Sequence, residues 1–364
     1  MQRYEQFVRR FMEQLKLNIE YKDVKFVRFS YVKVNEVLDA VAIKYPDLSV
    51  APVLYLGERY SFFCEGYILD GLAEITAIQL DNIRRDIGIV LEISRETAKK
   101  NLYCAVIHRN TNKELLKNVP YEKIVDLAII PRFRVGDNGS FIVSNIVCQK
   151  LKMTSEEVME QAYINTTKRE EFEIQSMNER VRAIMRAGNI PEEYINELID
   201  TQGYGCPLYI LTNKRGVDSS VALISKDILE SVYELVKGNY YVIPNSRHEL
   251  ILIPENTVLD FQYFRELVKK INTNETSLDD RLSDCIYKYD GDTKKMNVVD
   301  WETETLPEIK DGMNGKVKKI EFYEEYIITY MKIKESKFHQ EYIVDSELGK
   351  VDGEDNGRCK ENRN

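Results

Sequence analysis

Short links between strand-like runs narrow the folds open to this chain. Tyr240–Ile243 and Leu250–Ile253 face each other across Pro244-Asn-Ser-Arg247. Ile124–Val135 turns through Gly136-Asp-Asn-Gly139 into Ser140–Val143, and Asn213-Lys-Arg-Gly216 separates Leu208–Leu211 from Ser220–Ile224. A parallel crossover needs a dozen or more residues, so neighbours joined this way pair antiparallel. Gly, Asn, Asp and Pro in these links supply the backbone conformations that tight turns demand.

Between the strand-like runs the period changes to that of a helix. Tyr4, Phe7, Val8, Phe11, Met12 and Leu15 recur at three and four, giving an amphipathic first helix. Val24–Val34, Leu38–Ile43 and Val50–Leu56 then read as a small meander. Glu58–Arg85 reads as two helices broken near Gly66, the second with Ile68, Leu72, Ile75, Ile78 and Ile83 as its apolar stripe. Thr154-Ser-Glu-Glu157 has capping-box spacing. Ser225 is placed to cap a helix whose inward face is Ile228, Leu229, Val232, Tyr233, Leu235 and Val236. Phe261–Ile271 is a further helix, Cys285–Tyr289 a last strand, and Val317–Ile333 has the look of a hairpin.

The fold class expected is α+β: mostly antiparallel sheets flanked by helices, in two lobes joined by a helical segment, with a C-terminal extension. The expected divisions are an N-terminal lobe over 1–150, a helical connector over 151–205, a C-terminal lobe over 206–290, a Tyr-rich extension over 291–351 and a disordered tail over 352–364. The connector is strongly charged, with six Lys/Arg against eleven Asp/Glu between Leu151 and Asp200.

Charge and cysteine usage exclude several classes. With 51 Lys+Arg against 60 Asp+Glu, the formal charge is −9, which argues against a mainly electrostatic nucleic-acid binder. The six cysteines, Cys64, Cys104, Cys148, Cys206, Cys285 and Cys359, form no C-x-x-C, so neither a metal knuckle nor a disulfide framework is indicated. Isolated thiols suit a reducing cytoplasm. No run of 18 apolar residues occurs, so no membrane association is expected, and no cofactor motif stands out.

Candidate chemistry gathers at Ser246-Arg247-His248-Glu249, where a hydroxyl, an imidazole and a carboxylate are the ingredients of acyl transfer. If Ser246 and His248 share one strand, they lie roughly 6.5–7 Å apart along it, too far for a base to hold its nucleophile. Glu249 then points to the other face. Three histidines, His108, His248 and His339, are scattered, so no metal site is expected. Gly136–Gly139 and Gly203-Tyr-Gly205 lack the phosphate-loop fingerprint and read as turns. Arg132-Phe-Arg134 has the alternation of a half-exposed strand. Among 23 tyrosines, Tyr323, Tyr326, Tyr330 and Tyr342 in the C-terminal region are the group best suited to an association surface.

The order Pro207-Leu-Tyr-Ile-Leu-Thr-Asn213, a helix over Ser225–Val236, then Tyr240-Tyr-Val-Ile-Pro-Asn-Ser-Arg-His-Glu249 resembles an uncharacterised domain-of-unknown-function family of anaerobic Gram-positive bacteria. That family carries a strand ending in Thr-Asn, a helix and a Leu-Pro-Ser-Ser-x-His-Glu segment. Glu114–Pro120, Asp126–Ile130, Asn145 and the Glu157–Asn165 helix fit the same pattern, which covers Gln2 to Asp290. Asn245 stands where the family usually has Ser, and the region after Asp290 has no counterpart. The resemblance implies a cytoplasmic protein, with members associated with mobile elements, and brings no activity.

Two functional expectations follow, with a third behind them. The first is a non-enzymatic cytoplasmic binding or regulatory protein, in mobile-element or phage-host conflict, acting through contacts with a protein partner or a second copy of itself. Its binding residues are expected among Thr212, Asn213, Asn245, Arg247, His248, Tyr323 and Tyr326. The second is a hydrolase-type enzyme with His248, Glu249 and Ser246 as catalytic candidates, helped by a distant residue such as Asp126 or Asn213. The third is nucleic-acid binding, which the acidic balance disfavours.

Overall fold

The computed structural model describes residues 2–21, 23–87, 93–136, 139–203, 207–257, 261–274, 276–299, 326–333, 340–344 and 347–348. The expected disordered tail over 352–364 lies outside them.

The chain opens with helix α1 (Gln2–Asn18) and a meander of β1 (Lys25–Lys33), β2 (Glu36–Lys44) and β3 (Val50–Tyr55). Two helices follow, α2 (Leu56–Cys64) and α3 (Leu69–Ile87), broken around Gly66 at φ +104°. After α4 (Arg95–Asn101) come β4 (Leu102–His108), α5 (Lys113–Leu116), β5 (Glu122–Ile124), β6 (Leu127–Val135) and β7 (Gly139–Ile142). Next are α6 (Asn145–Leu151), α7 (Ser155–Arg169), β8 (Phe172–Ser176), α8 (Met177–Ala187) and α9 (Glu192–Leu198). The last part holds β9 (Tyr209–Asn213), α10 (Lys226–Val236), β10 (Tyr240–Ser246), β11 (Glu249–Pro254), α11 (Phe261–Asn274), β12 (Tyr287–Asp290), β13 (Lys295–Val298) and β14 (Gln340–Val344).

These strands make an α+β fold of two mostly antiparallel sheets. The first runs β1-β2-β3-β14-β7-β6-β4, with β5 beside β6; the second runs β13-β12-β10-β11-β9-β8. The short links do form antiparallel pairs: β6 with β7, and β10 with β11. The exception to antiparallel order is β14, which lies antiparallel to β3 but parallel to β7 and so closes the first sheet from far along the chain.

Both sheets are covered on two faces, which is why β6 and β11 read as near-continuous apolar runs. Leu250 and Leu252 of β11 enter the main core, while Ile251 and Ile253 enter a second core with Leu267, Val268 and Ile271 of α11. The main core draws on α1, α3, β6, α7, β9 and α10, so one face of each sheet contributes to it. The capping box at Thr154 and Glu157 forms, as does the Ser225 cap at Ile228.

Several segments depart from their sequence patterns for identifiable reasons. Ser219–Ile224 is a buried 3-10 helix rather than a strand. Both edges of β9 are taken, by β11 and β8, so no ladder position remains for it there. The same need for a partner makes Phe172–Ser176 a strand within the charged stretch expected to be helical. Ile124–Val135 is divided by a turn in which Val125 takes φ +47°. Residues 326–333 are helical because Tyr326, Ile327, Tyr330 and Met331 recur on one helix face, which packs into the second core. The expected hairpin over 317–333 is therefore a helix where it is described; 317–325 lie outside the described residues. Ile68, just before α3, and Ile75 and Ile78 within it are exposed, whereas Leu72 faces inward.

Candidate functional site

The turn between β10 and β11 carries the site. Its ladder shifts register between Ile243 and Ser246, just before Arg247 and His248. Ser246 is buried, and its Oγ accepts from the His248 amide at 3.2 Å. Glu249 is buried on the opposite side, where Tyr330 Oη donates to it at 2.6 Å. Neither lies in line with the imidazole as a catalytic partner.

His248 has both ring nitrogens engaged. The Asp218 amide donates to Nδ1 at 3.1 Å, which makes Nδ1 the acceptor and leaves Nε2 to donate to Asp280 Oδ1 at 2.7 Å. Burial pushes the Asp280 carboxyl up, but the His248 bond, the Arg247 guanidinium and the Ser277 hydroxyl together outweigh it. They hold Asp280 well below the usual carboxylate range.

Arg247 is almost wholly inside, at 3% exposure. Its backbone is clamped: the amide donates to Asp280 O at 2.9 Å and the carbonyl accepts from Ser220 at 3.0 Å. The guanidinium Nε sits 3.4 Å from Asp280 Oδ1 and 3.7 Å from Asp218 Oδ1, within ion-pair reach but without a hydrogen bond. Nη1 likewise has no hydrogen-bond acceptor among the described residues.

Beside it lies a second buried arginine. Arg132, fully buried in β6, donates from Nε and Nη2 to Ser140 Oγ at 2.9 and 2.7 Å and from Nη2 to Glu341 Oε1 at 3.1 Å. Glu341 Oε2 accepts from Tyr31 and Tyr55 at 3.1 and 3.0 Å. Burial, then the Glu341 charge, pushes both phenols upward. Asp218 Oδ2 accepts from Tyr103 Oη at 2.9 Å, and Tyr103 is pushed up to about 12, first by burial and then by Asp218. Asp218 itself is held at φ +53°, a left-handed conformation that suits Asp better than most residues.

Two cavities adjoin this network. One, of about 290 Å³, is lined by polar groups from α2, α3, β1, β14 and the β10–β11 turn, among them Lys33, Glu58, Arg59, Gln79, Arg247 and Glu341. The other, of about 670 Å³, is more apolar, with Ile184, Met185, Ile190, Met331 and Ile333 beside Thr212, Ser246 and Glu249. His248, Ser277 and Asp280 line both, so the dyad forms part of the wall between them.

The residues expected from sequence are thus partly gathered. Ser246, His248, Glu249 and Thr212 line the larger cavity, and Arg247 and His248 the smaller. Thr212 hydrogen-bonds Ser219 at 3.2 Å. Asn213 is buried and shapes its own turn, bonding Val217 O at 2.9 Å, a local role. Asn245 lies in β10. Tyr323 lies outside the described residues. Tyr326, expected at an association surface, is fully buried, and a Cβ added at Gly203 would lie 2.8 Å from its Cζ. Tyr330 and Tyr342 are also interior. Asp126, considered as a helper of His248, instead accepts from Ser283 at 2.6 Å and Tyr287 at 2.7 Å, with His108 at 3.6 Å.

Sequence patterning missed Arg132, Asp218, Asp280 and Glu341. A signal existed for Arg132, which interrupts the otherwise apolar Leu127–Phe133, where both faces are buried. Among the described residues no three His, Cys, Asp or Glu side chains cluster to hold a metal, and no helix is long and apolar enough to cross a membrane.

Fold and site together define an α+β protein of two mostly antiparallel sheets whose junction holds a buried charged network beside two cavities. The chain belongs to the family of unknown function DUF5688, whose model matches residues 4–291. No curated protein and no solved structure matches the chain.

Proposed function

We propose that this protein binds a small polar molecule in the 290 Å³ cavity between its two sheets. The observation that carries the reading is the convergence on one cavity of charged side chains from β1, β14, α2, the β10–β11 turn and residues 279–280, with Thr76 and Gln79 of α3. Its volume approaches the lower end of small-molecule sites, about 300 Å³. A lining this polar selects a ligand with several hydrogen-bonding groups, because every charge it desolvates must be repaid by a bond.

The hydrolase reading has less support, since both nitrogens of His248 are already bonded and Glu249 is turned toward Tyr330. Association through the C-terminal tyrosines is likewise weakened by the burial of Tyr326, Tyr330 and Tyr342.

The test is a thermal-shift screen of the full chain against a library of polar metabolites, repeated on Gln79→Trp. Gln79 sits exposed on α3 and lines the cavity, so an indole there obstructs the space without disturbing the core. Compounds that raise the melting temperature of the wild type and lose their effect on Gln79→Trp support the reading. Equal shifts for both proteins, or none for either, refute it.

A further inference from the structure

Charges around the smaller cavity are largely paired, but some of their hydrogen-bonding groups are not satisfied. Lys33 Nζ takes Asp279 at 2.7 Å, Asp280 takes His248, Glu341 takes Arg132, and Arg59 reaches Gln79 at 3.3 Å. Arg247 stands within ion-pair reach of Asp280 and Asp218, yet it is buried with Nε and Nη1 lacking hydrogen-bond acceptors; Arg59 Nε likewise lacks one, beside Glu58 on α2. Glu58 is exposed and makes no ion pair within 4 Å among the described residues, though its charge bears on the neighbouring Arg59. Buried guanidinium N–H groups without acceptors are costly, and the oxygens that suit them best are those of a carboxylate, which can take two at once. A carboxylate at a rim favours a cation in front of it.

We propose that the ligand is a small zwitterion, with its carboxylate inward on Arg247 and its ammonium outward at Glu58. The proposal rests on the reading of the cavity given above and adds the ligand's class. A simple anion would satisfy Arg247 but place charge near Asp280 and Glu341 without compensation. A simple cation would leave Arg247 as it is. A molecule carrying both charges, separated along the cavity, answers both ends. At about 290 Å³ the space holds roughly ten water volumes, enough for a short amino acid.

The experiment is calorimetric titration of the full chain with glycine, 4-aminobutyrate and 6-aminohexanoate, beside butyrate, butylamine and glucose. The expected result is an optimum at one chain length, with that amino acid binding about tenfold or more tighter than butyrate or butylamine, the loss expected when one charge-assisted bond is removed. Arg247→Met is expected to abolish binding, and Glu58→Gln to weaken the amino acid while leaving butyrate unchanged. Should Arg247→Met fail to fold, phenylglyoxal modification of the wild type, mapped by mass spectrometry, serves instead. Bound amino acid then protects Arg247, and unchanged modification overturns the proposal. If glucose binds and no charged probe does, the zwitterion is overturned while the cavity reading stands. If no probe binds and the metabolite screen is also blank, both fall.

Discussion

Replacing Arg132 by Met tests whether the charged seam between strands is a structural requirement. The substitution keeps most of the side-chain length but removes the cation that faces Glu341 at 3.1 Å and Asp218 at 3.7 Å. Both carboxylates are at most 4% exposed, so water cannot take over the lost interaction. Removing one partner of a buried pair costs about 3–5 kcal/mol, because the remaining charge stays desolvated. Against a total stability of about 5–15 kcal/mol, that is about a fifth or more of the margin. Urea unfolding followed by far-ultraviolet circular dichroism reads the loss as a lower midpoint. Amide exchange should rise first in β14 and β7, the strands that Glu341 and Ser140 tie to Arg132. The double variant Arg132→Met, Glu341→Leu should recover at least half of the loss, since the stranded carboxylate is gone. A single-variant cost under about 1 kcal/mol, or a double variant no better than the single, would refute this account.

Three further outcomes are expected. Asp280 is held below its unfolded pKa of about 3.9, so its contribution is present above that value and disappears as pH falls through the folded pKa. The stability gap between wild type and Asp280→Asn, from urea midpoints, should thus be full at pH 7 and narrow below about pH 4; a gap that widens on acidification contradicts the linkage. Burial pushes the Cys104 thiol up to about 12 and the Cys148 thiol up to about 11, whereas Cys64 is exposed. Iodoacetamide labelling mapped by mass spectrometry should modify Cys64 long before Cys104 and Cys148, and early labelling of the latter two would mean their cores open readily. Finally, Gly203→Ala puts a methyl 2.6 Å from Asn178 Oδ1 and 2.8 Å from Tyr326 Cζ, and overpacking of this kind costs about 1–3 kcal/mol. An unchanged melting curve would show that Tyr326 can move aside.

The elements legible in the sequence were those set by local chemistry. The β6–β7 and β10–β11 links, the Thr154 capping box and the break near Gly66 follow from residues a few positions apart. Segments decided by distant neighbours were not legible. Ser219–Ile224 has the apolar character of a strand, but which edges of β9 are vacant depends on β8 and β11. The same holds at the site. His248 and Arg247 stand out in sequence as chemistry-bearing types, yet what they do depends on Asp218 and Asp280, 30 and 32 residues from His248. Arg132-Phe-Arg134 shows the alternation of a half-exposed strand because alternation marks two different faces, without saying that both are covered. Phe133 enters the main core, while Arg132 finds Glu341 more than two hundred residues away.

That distance bears on how the site is assembled in this chain. The family match ends at residue 291, whereas Glu341 lies in β14, beyond it. Most of the smaller cavity is therefore built by the family region, and the carboxylate that engages Tyr31, Tyr55 and Arg132 arrives from outside it. The same strand pairs with β3 on one side and β7 on the other, joining the two parts of the first sheet. One strand thus both joins the sheet and completes the charged seam. Arg247, clamped by Asp280 and Ser220 within the family region, is positioned without β14. The Arg247 end of the cavity thus lies within the family region, and β14 adds the Glu341 carboxylate beside it.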